Sequence, residues 1–110
     1  MARSSLSHDA LPPEVSDQLV QLGKRIRQAR VARQLTLADL AARIFVTPKT
    51  LGRVEAGDPG VSLAVLASTL FALSHQRDLD QLLGEDAVAA AHQRARLPQR
   101  ASARARFLTR

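Results

Sequence analysis

The amino-acid sequence predicts an all-α protein with five helices in the body of the chain. Apolar residues recur at spacings of three and four, the repeat that places side chains on one face of an α-helix. Capping residues and glycines interrupt this pattern and mark where one helix ends and the next begins. Polar and apolar residues alternate, as in a strand, only near the C-terminus, at residues 100–107. The 110 residues are enough for one small domain with short extensions.

The first helix is predicted from about Ser16 to Arg33. Its apolar stripe follows steps of four and three and consists of Val15, Leu19, Leu22, Ile26 and Ala29. Thr36 then stands where the N-cap of a second helix is expected, and Asp39 places an acidic group in its first turn. The apolar side of this second helix carries Leu40, Ala41 and Ile44.

The third helix is predicted over Pro48–Ala56. Thr47 is its N-cap, Pro48 takes the first helical position, where no N–H is needed, and Gly57 supplies a left-handed stop. Ser62 caps a fourth helix, whose apolar residues are Leu63, Leu66, Ala67, Leu70 and Leu73. A short fifth helix ends before Gly84 and contains Leu79, Leu82 and Leu83.

Basic charge is concentrated in two segments of the chain, which has a formal net charge of +6. Residues 22–55 carry eight basic and two acidic groups, and residues 85–110 carry six and two, whereas residues 1–21 and 56–84 each have a net charge of −2. Lys and Arg displace counterions from phosphates, so a basic segment beside acidic ones favours a face that binds a polyanion. We therefore expect nucleic acid as a partner. The alternative is that the basic side chains are only solvated.

The sequence disfavours several functional classes. The chain has no cysteine, which excludes disulfides and thiolate chemistry. No apolar run approaches the roughly 18 residues of a membrane span, and the N-terminus lacks the apolar core of a secretory signal, so a cytoplasmic protein without membrane contact is expected. His8, His75 and His92 share no spacing typical of ligands or acid–base groups. We expect neither an enzyme nor a bound metal or cofactor.

The third helix is predicted to have two different sides. Leu51 and Val54 would pack inward, whereas Lys49 and Arg53, four residues apart, share the outer side. Gly52 adds no bulk there. Such a face can lie in a major groove, where an arginine can reach guanine O6 and N7. The alternative is that the two basic side chains are only solvated and that Gly52 has no role.

The second predicted helix, a tight turn and the third predicted helix form a helix-turn-helix over about residues 36–56. The stretch "LGKRIRQARVARQLTLADLAARIFVTPKTLGRVEAG", followed by "VSLAVLASTLFAL", resembles the bacterial repressor-type (XRE, Cro/repressor-like) helix-turn-helix family over about residues 20–83. The specific elements are the lead-in "IRQARVARQLT", the "LA" of the second helix and the ending "TLGRVEAG". The resemblance implies a five-helix repressor-like DNA-binding domain whose third helix is the recognition helix.

The resemblance also implies roles for individual residues. Bases and flanking phosphates would be contacted by Thr47, Pro48, Lys49, Thr50 and Arg53. At the start of the second helix, Thr36 and Leu37 would point backbone N–H groups at a phosphate. Arg30 and Glu55 would form a partly buried salt bridge between the first and third helices, which makes Glu55 structural and not a DNA ligand.

Two residues depart from the family pattern. Leu37 replaces a glutamine whose amide helps to hold a phosphate, so Thr36 and backbone N–H groups would have to bind it instead. Phe45 replaces a glycine in the turn, where φ is positive and a side chain costs about 1–2 kcal/mol. Either the turn is reshaped, or packing of the phenylalanine ring offsets the cost.

The predicted organisation is a disordered leader over residues 1–14, the DNA-binding domain over residues 15–84 and a basic extension over residues 85–110. The extension begins with an alanine-rich stretch that can form a helix as far as Leu97. Its arginine-rich end is either disordered or an arm that orders on DNA or on a partner.

The extension contains "RLPQR" at residues 96–100, which is similar to the basic "RLPxR" end of HipB-like antitoxins. This resemblance implies a homodimeric repressor that binds a palindromic operator in double-stranded DNA, represses its own toxin–antitoxin operon and binds a HipA-like kinase toxin. One alternative is a phage-type or free-standing regulator without a toxin. Another is a protein-interaction module that uses the same helices.

Overall fold

The computed structural model describes residues 9–96 and confirms the all-α prediction. Within this range the protein has six helices and no strand: α1 (Pro13–Ala32), α2 (Leu37–Arg43), α3 (Pro48–Glu55), α4 (Leu63–Ala72), α5 (Arg77–Gln81) and α6 (Ala87–Arg96). The first five correspond to the predicted five-helix body. The sixth lies in the alanine-rich start of the basic extension, where helix was predicted to reach Leu97.

The chain divides after Leu79 into two compact units. Helices α1 to α4 belong to the first unit, α6 belongs to the second, and α5 spans the division. Leu82 and Leu83, predicted in the fifth helix, lie after its end at Gln81 and are 69% and 88% exposed, so the helix is shorter than predicted. The limits of the leader, domain and extension stay predictions. Residues 1–8 and 97–110, with the strand-like alternation, lie outside the described residues.

Helices α2, α3 and α4 each begin after the hydroxyl residue that the sequence predicts as N-cap. The side-chain oxygens of Thr36, Thr47 and Ser62 accept the backbone N–H three residues later, at 3.0, 3.2 and 3.1 Å. Each bond satisfies a donor that helix geometry leaves without a partner. Helix α1 begins three residues before its predicted start, because Pro13 can take the first helical position.

Helices α1 to α4 all end with a residue in the left-handed region. These residues are Gln34, Phe45, Gly57 and Ser74, with φ between 57° and 77°. After α2, the N–H groups of Phe45 and Val46 donate to the carbonyls of Ala42 and Ala41 at 3.3 and 3.1 Å. The same pair of bonds closes the other three helices, and this Schellman arrangement satisfies carbonyls at the helix ends.

Phe45 takes the left-handed conformation that a glycine would occupy more easily, with φ of 60°. Both predicted ways of relieving this conformation are wrong. The turn keeps the backbone bonds of an ordinary helix end, and the side chain is 95% exposed, so the ring gains little packing. The fold therefore carries the left-handed cost of about 1–2 kcal/mol, and the Cβ is tolerated because it points into solvent.

Helices α1 and α3 approach each other so closely that their contact needs two glycines. A Cβ on Gly23, in α1, would overlap the carbonyl oxygen of Glu55 and lie 2.9 Å from the nitrogen of Gly57. A Cβ on Gly57, whose φ is 77°, would lie 2.6 Å from the carbonyl oxygen of Leu19. This contact explains a glycine inside α1, where helix propensity alone disfavours it by about 1 kcal/mol.

The core lies among α1, α2, α3 and α4. Its buried apolar residues are Ile26, Leu40, Ala41, Leu51, Val54, Leu70 and Leu73. Helix α3 contacts α1 and α2, and α2 contacts α4. The buried Thr69 donates its hydroxyl to the carbonyl of Val65 at 2.8 Å, so this polar group is satisfied within α4. Leu63, predicted on the apolar side of α4, is 75% exposed because it occupies the first turn.

A largely buried ion pair joins the end of α1 to the end of α3. Arg30 donates from Nε to Oε2 of Glu55 at 2.6 Å and from Nη2 to Oε1 at 3.1 Å. Its Nη1 donates to the carbonyl of Leu35 at 2.8 Å, in the turn that leads into α2. The hydrogen bond to Glu55 raises the pKa of Arg30 above its ordinary value, against the opposing effect of burial. One arginine of α1 thus binds both the end of α3 and the turn before α2.

Replacing two helical glycines by alanine should have opposite effects on stability. Gly23→Ala should lower the free energy of unfolding by about 1–3 kcal/mol, because the new methyl group must displace backbone. Gly52→Ala should raise it by up to about 1 kcal/mol, because a Cβ there would lie an ordinary 3.8 Å from Cδ2 of Leu37. Urea unfolding measures both, and equal stabilisation of the two variants would contradict the close approach of α1 and α3.

Removing one partner of the ion pair should destabilise the protein strongly. Glu55→Ala should lower the free energy of unfolding by about 3–5 kcal/mol, since Arg30 would be left buried and unpaired. Replacing both partners by methionine should cost less, because no charge is then stranded. Urea unfolding of the three proteins tests this expectation. If the double variant is no more stable than Glu55→Ala, the pair does not stabilise the fold through the balance of its charges.

Candidate nucleic-acid interface

Helix α3 is anchored on one side and exposed on the other. Leu51 and Val54 are 0% and 5% exposed and belong to the core. Lys49 and Arg53 are exposed, and Lys49 makes no ion pair with any residue in the range 9–96. The core therefore holds the helix in place while its two basic side chains face solvent.

Two threonines close the N-terminus of α3. The hydroxyl of Thr47 accepts the N–H of Thr50 at 3.2 Å, and the two hydroxyl oxygens lie 3.1 Å apart, so one hydroxyl donates to the other. Pro48 is exposed at the first helical position. The N–H of Lys49, at the second position, has no partner inside the helix by its geometry. This end of α3 therefore presents hydroxyls and a backbone donor beside a cationic side chain.

Leu37 is placed as a packing residue. Its side chain is partly buried against the core, and Cδ2 lies near Gly52 of α3. Leucine at this position thus supplies an apolar contact between α2 and α3, where the family has an amide. The group of Leu37 that can bind a phosphate is its backbone N–H.

A capping box closes the first turn of α2. Oδ2 of Asp39 accepts the N–H of Thr36 at 2.9 Å, and the Thr36 hydroxyl accepts the N–H of Asp39 at 3.0 Å. The Thr36 N–H, and then its hydroxyl, hold the pKa of Asp39 below its ordinary value. Asp39 is therefore ionised at neutral pH and opposes a phosphate at this helix end. A phosphate contact here depends on the N–H groups of Leu37 and Ala38, which have no intrahelical partner.

Arg53 is held by an acidic side chain that sequence analysis did not identify. Its Nε donates to Oδ2 of Asp58 at 2.7 Å. The other oxygen of this carboxylate accepts the N–H of Gly60 at 2.7 Å. The signal available in the sequence is "DPG" at residues 58–60, because an aspartate in such a turn accepts the N–H two residues later, which holds its carboxylate directly after α3.

The residues predicted to contact DNA are accessible to different degrees. Five of them are exposed and two are partly buried: Thr36, Thr47, Pro48, Lys49 and Arg53, and then Leu37 and Thr50. Arg30 and Glu55 are bound to each other and largely buried. The one acidic side chain of α3 is therefore engaged in the fold and does not oppose an anion at the exposed side.

Residues 9–96 contain neither a candidate membrane-spanning helix nor a candidate metal site. No helix there has the length and apolarity of a membrane span. No group of three or more histidine, aspartate or glutamate side chains there could hold a metal ion.

Comparison with known proteins agrees with this geometry. A family model described as a helix-turn-helix domain matches residues 21–93, more than half of the chain, and this range includes all of α2, α3 and α4. No curated protein matches the chain significantly. The resemblance to the XRE type is confirmed at the level of the family, and the narrower HipB-like assignment stays a prediction. The chain belongs to the XRE-like helix-turn-helix domain family of DNA-binding regulators.

Proposed function

We propose that the protein is a sequence-specific transcriptional repressor that reads its operator with α3. The observation that carries this proposal is the exposed basic side of α3, where Lys49 and Arg53 lie opposite the buried Leu51 and Val54. The second helix of a helix-turn-helix enters the major groove. Phosphates border that groove, and guanine presents two acceptors inside it, so two outward cations on a fixed helix suit it.

Arg53 is the proposed base reader. A guanidinium can donate two parallel hydrogen bonds to guanine O6 and N7. Lys49 lies one turn nearer the N-terminus of α3 and can contact either a base or a phosphate. Gly52, next to Arg53, carries no side chain, which allows the groove to approach the helix backbone.

The remaining contacts are assigned to the positioning of the protein on DNA. Thr47, Pro48 and Thr50 surround the positive end of α3, which favours a phosphate or an acceptor on a base edge. At the start of α2, the hydroxyl of Thr36 and the N–H groups of Leu37 and Ala38 are assigned to a second phosphate. Contacts of this kind set register and orientation and carry little sequence information.

A homodimer on a palindromic operator is part of the proposal. One recognition helix reads only a few base pairs, and a twofold axis doubles the number read. Repression follows if the occupied operator overlaps a promoter.

A narrower proposal is that the protein is the antitoxin and autorepressor of a HipA-type toxin–antitoxin operon. Its support comes from sequence alone, from "RLPQR" and the arginine-rich end that follows it. Purification from the native locus tests it, because a co-eluting HipA-like kinase would support the proposal. Absence of such a kinase would favour a phage-type or free-standing regulator, and absence of DNA binding would favour a protein-interaction module.

Alanine substitutions on the exposed side of α3 should weaken operator binding. Arg53→Ala should cost about 1–3 kcal/mol of binding free energy and relax the preference at one base position of each half-site. Lys49→Ala should act similarly or, if the lysine contacts a phosphate, reduce the salt slope by about 1. Gel-shift titrations at several salt concentrations, on DNA from upstream of the gene, measure both effects.

Arg77→Ala is the matched control, because it removes the same charge from an exposed residue outside α2 and α3. It should leave the base preference unchanged. Operator binding that survives intact in the Lys49→Ala/Arg53→Ala double variant would contradict the proposal.

The DNA footprint should show twofold symmetry. Two recognition helices on a dimer should lie about 34 Å apart, one turn of B-DNA, which places half-site centres about 10 base pairs or a multiple of this apart. Nuclease footprinting together with analytical ultracentrifugation of the complex measures the spacing and the stoichiometry. Protection of a single half-site by a monomer would rule out the dimeric mode.

A further inference from the structure

We propose that Asp58 is a positioning residue for Arg53 and makes this arginine selective for a guanine over the phosphates of any DNA. The inference rests on the proposed function, in which Arg53 reads a base. It starts from one observation, the 2.7 Å bond between Nε of Arg53 and Oδ2 of Asp58 on the exposed side of α3.

The fold fixes the place of the Asp58 carboxylate. Gly57 ends α3 in the left-handed conformation and lies against the backbone of α1. The next N–H, that of Asp58, donates to the carbonyl of Arg53 at 3.0 Å. Oδ1 of Asp58 accepts the N–H of Gly60 at 2.7 Å, and Pro59 between them has a restricted φ. The carboxylate is therefore anchored independently of its bond to the arginine.

The bond to Asp58 uses Nε of the guanidinium. This nitrogen is not needed when the two terminal nitrogens pair with a guanine. An arginine has five N–H groups, and the bond to Asp58 uses the one on Nε. The four N–H groups of the two terminal nitrogens form the end of the fork, which can pair with guanine O6 and N7. The side chain of Arg53 is 47% exposed, and its terminal nitrogens make no hydrogen bond to residues 9–96, so they are available to an incoming groove.

The pair contributes little to the stability of the fold, because the side chains of Arg53 and Asp58 are 47% and 32% exposed and their attraction is screened by solvent. Its effect on binding is larger for two reasons. An arginine already held in one geometry loses less conformational freedom when it meets a base. The adjacent negative charge also weakens the attraction of this arginine for phosphates, which are the same in every sequence. Both effects raise the ratio of specific to non-specific binding.

The two cations of α3 are therefore inferred to differ in role. Lys49 has no acidic partner among residues 9–96 and acts on DNA of any sequence as well as on the operator. Arg53 has its charge partly balanced and its direction set, so its contribution is concentrated at one base pair.

Asp58→Asn is the test variant. Asparagine keeps one oxygen, which can accept the N–H of Gly60. Its other terminal group is an NH2, which donates hydrogen bonds and cannot accept one from Arg53. Binding is measured on three DNA duplexes: the operator, the operator with the guanine whose preference Arg53→Ala relaxes changed to adenine, and a random sequence. Asp17→Asn is the matched control, because it makes the same charge change at an exposed residue of α1.

We expect Asp58→Asn to shift the two kinds of binding in opposite directions. Affinity for the random duplex should rise about threefold, while the preference for guanine over adenine should fall about fivefold to tenfold relative to the Asp17→Asn control. In an Arg53→Ala background, Asp58→Asn should change the base preference no further, because the arginine through which Asp58 acts is missing.

Three results would overturn the inference. If Asp58→Asn keeps the guanine preference of the control while Arg53→Ala loses it, Arg53 reads the base without help and the proposed function stands. If Asp58→Asn weakens binding to the random duplex, the residue supports the loop and does not restrain the arginine. If Arg53→Ala leaves every base preference unchanged, the assignment of Arg53 in the proposed function fails together with this inference.

Discussion

The close approach of α1 and α3 is the constraint on which the rest of the structure depends. No Cβ fits on Gly23, because the last carbonyl of α3 occupies that space, and none fits on Gly57, because the backbone of α1 lies against it. Backbone contact at this distance fixes where α3 ends. The turn that carries Asp58 and the direction of the exposed side of α3 follow from that position.

Two arginine–acid pairs at the end of α3 illustrate how burial changes the role of the same chemistry. The pair of Arg30 with Glu55 is bidentate and largely buried, so loss of one partner would leave a charge without solvent. The pair of Arg53 with Asp58 is partly exposed, so water can replace either partner at little cost. The first pair therefore suits a fixed joint between helices, and the second suits a side chain that must exchange partners when DNA arrives.

The helix ends show which glycines a fold of this kind needs. Four helices close with a left-handed residue, yet only Gly57 among these four residues is a glycine. At the other three positions the extra conformational cost is about 1–2 kcal/mol, and no backbone stands in the way of a side chain that points outward. Phe45 is the extreme case, since a large ring projects from the turn of the helix-turn-helix. A glycine is needed where a Cβ would collide with another helix, as at Gly57. A positive φ alone does not require one.

The sequence by itself determined the features that local interactions decide. Hydroxyl caps, the proline at the start of α3 and the repeat of apolar residues identified α2, α3 and α4 nearly to the residue, because capping and helix periodicity act within a few residues of the chain. The order of helix, tight turn and helix predicted the helix-turn-helix, and helical spacing predicted the accessible side of α3. Only the tertiary structure decided why α1 contains Gly23, that Leu37 packs against α3, that Phe45 gains little packing and that Asp58 holds Arg53. These features depend on how closely separate helices approach and how the chain returns after α3, which local propensities do not encode.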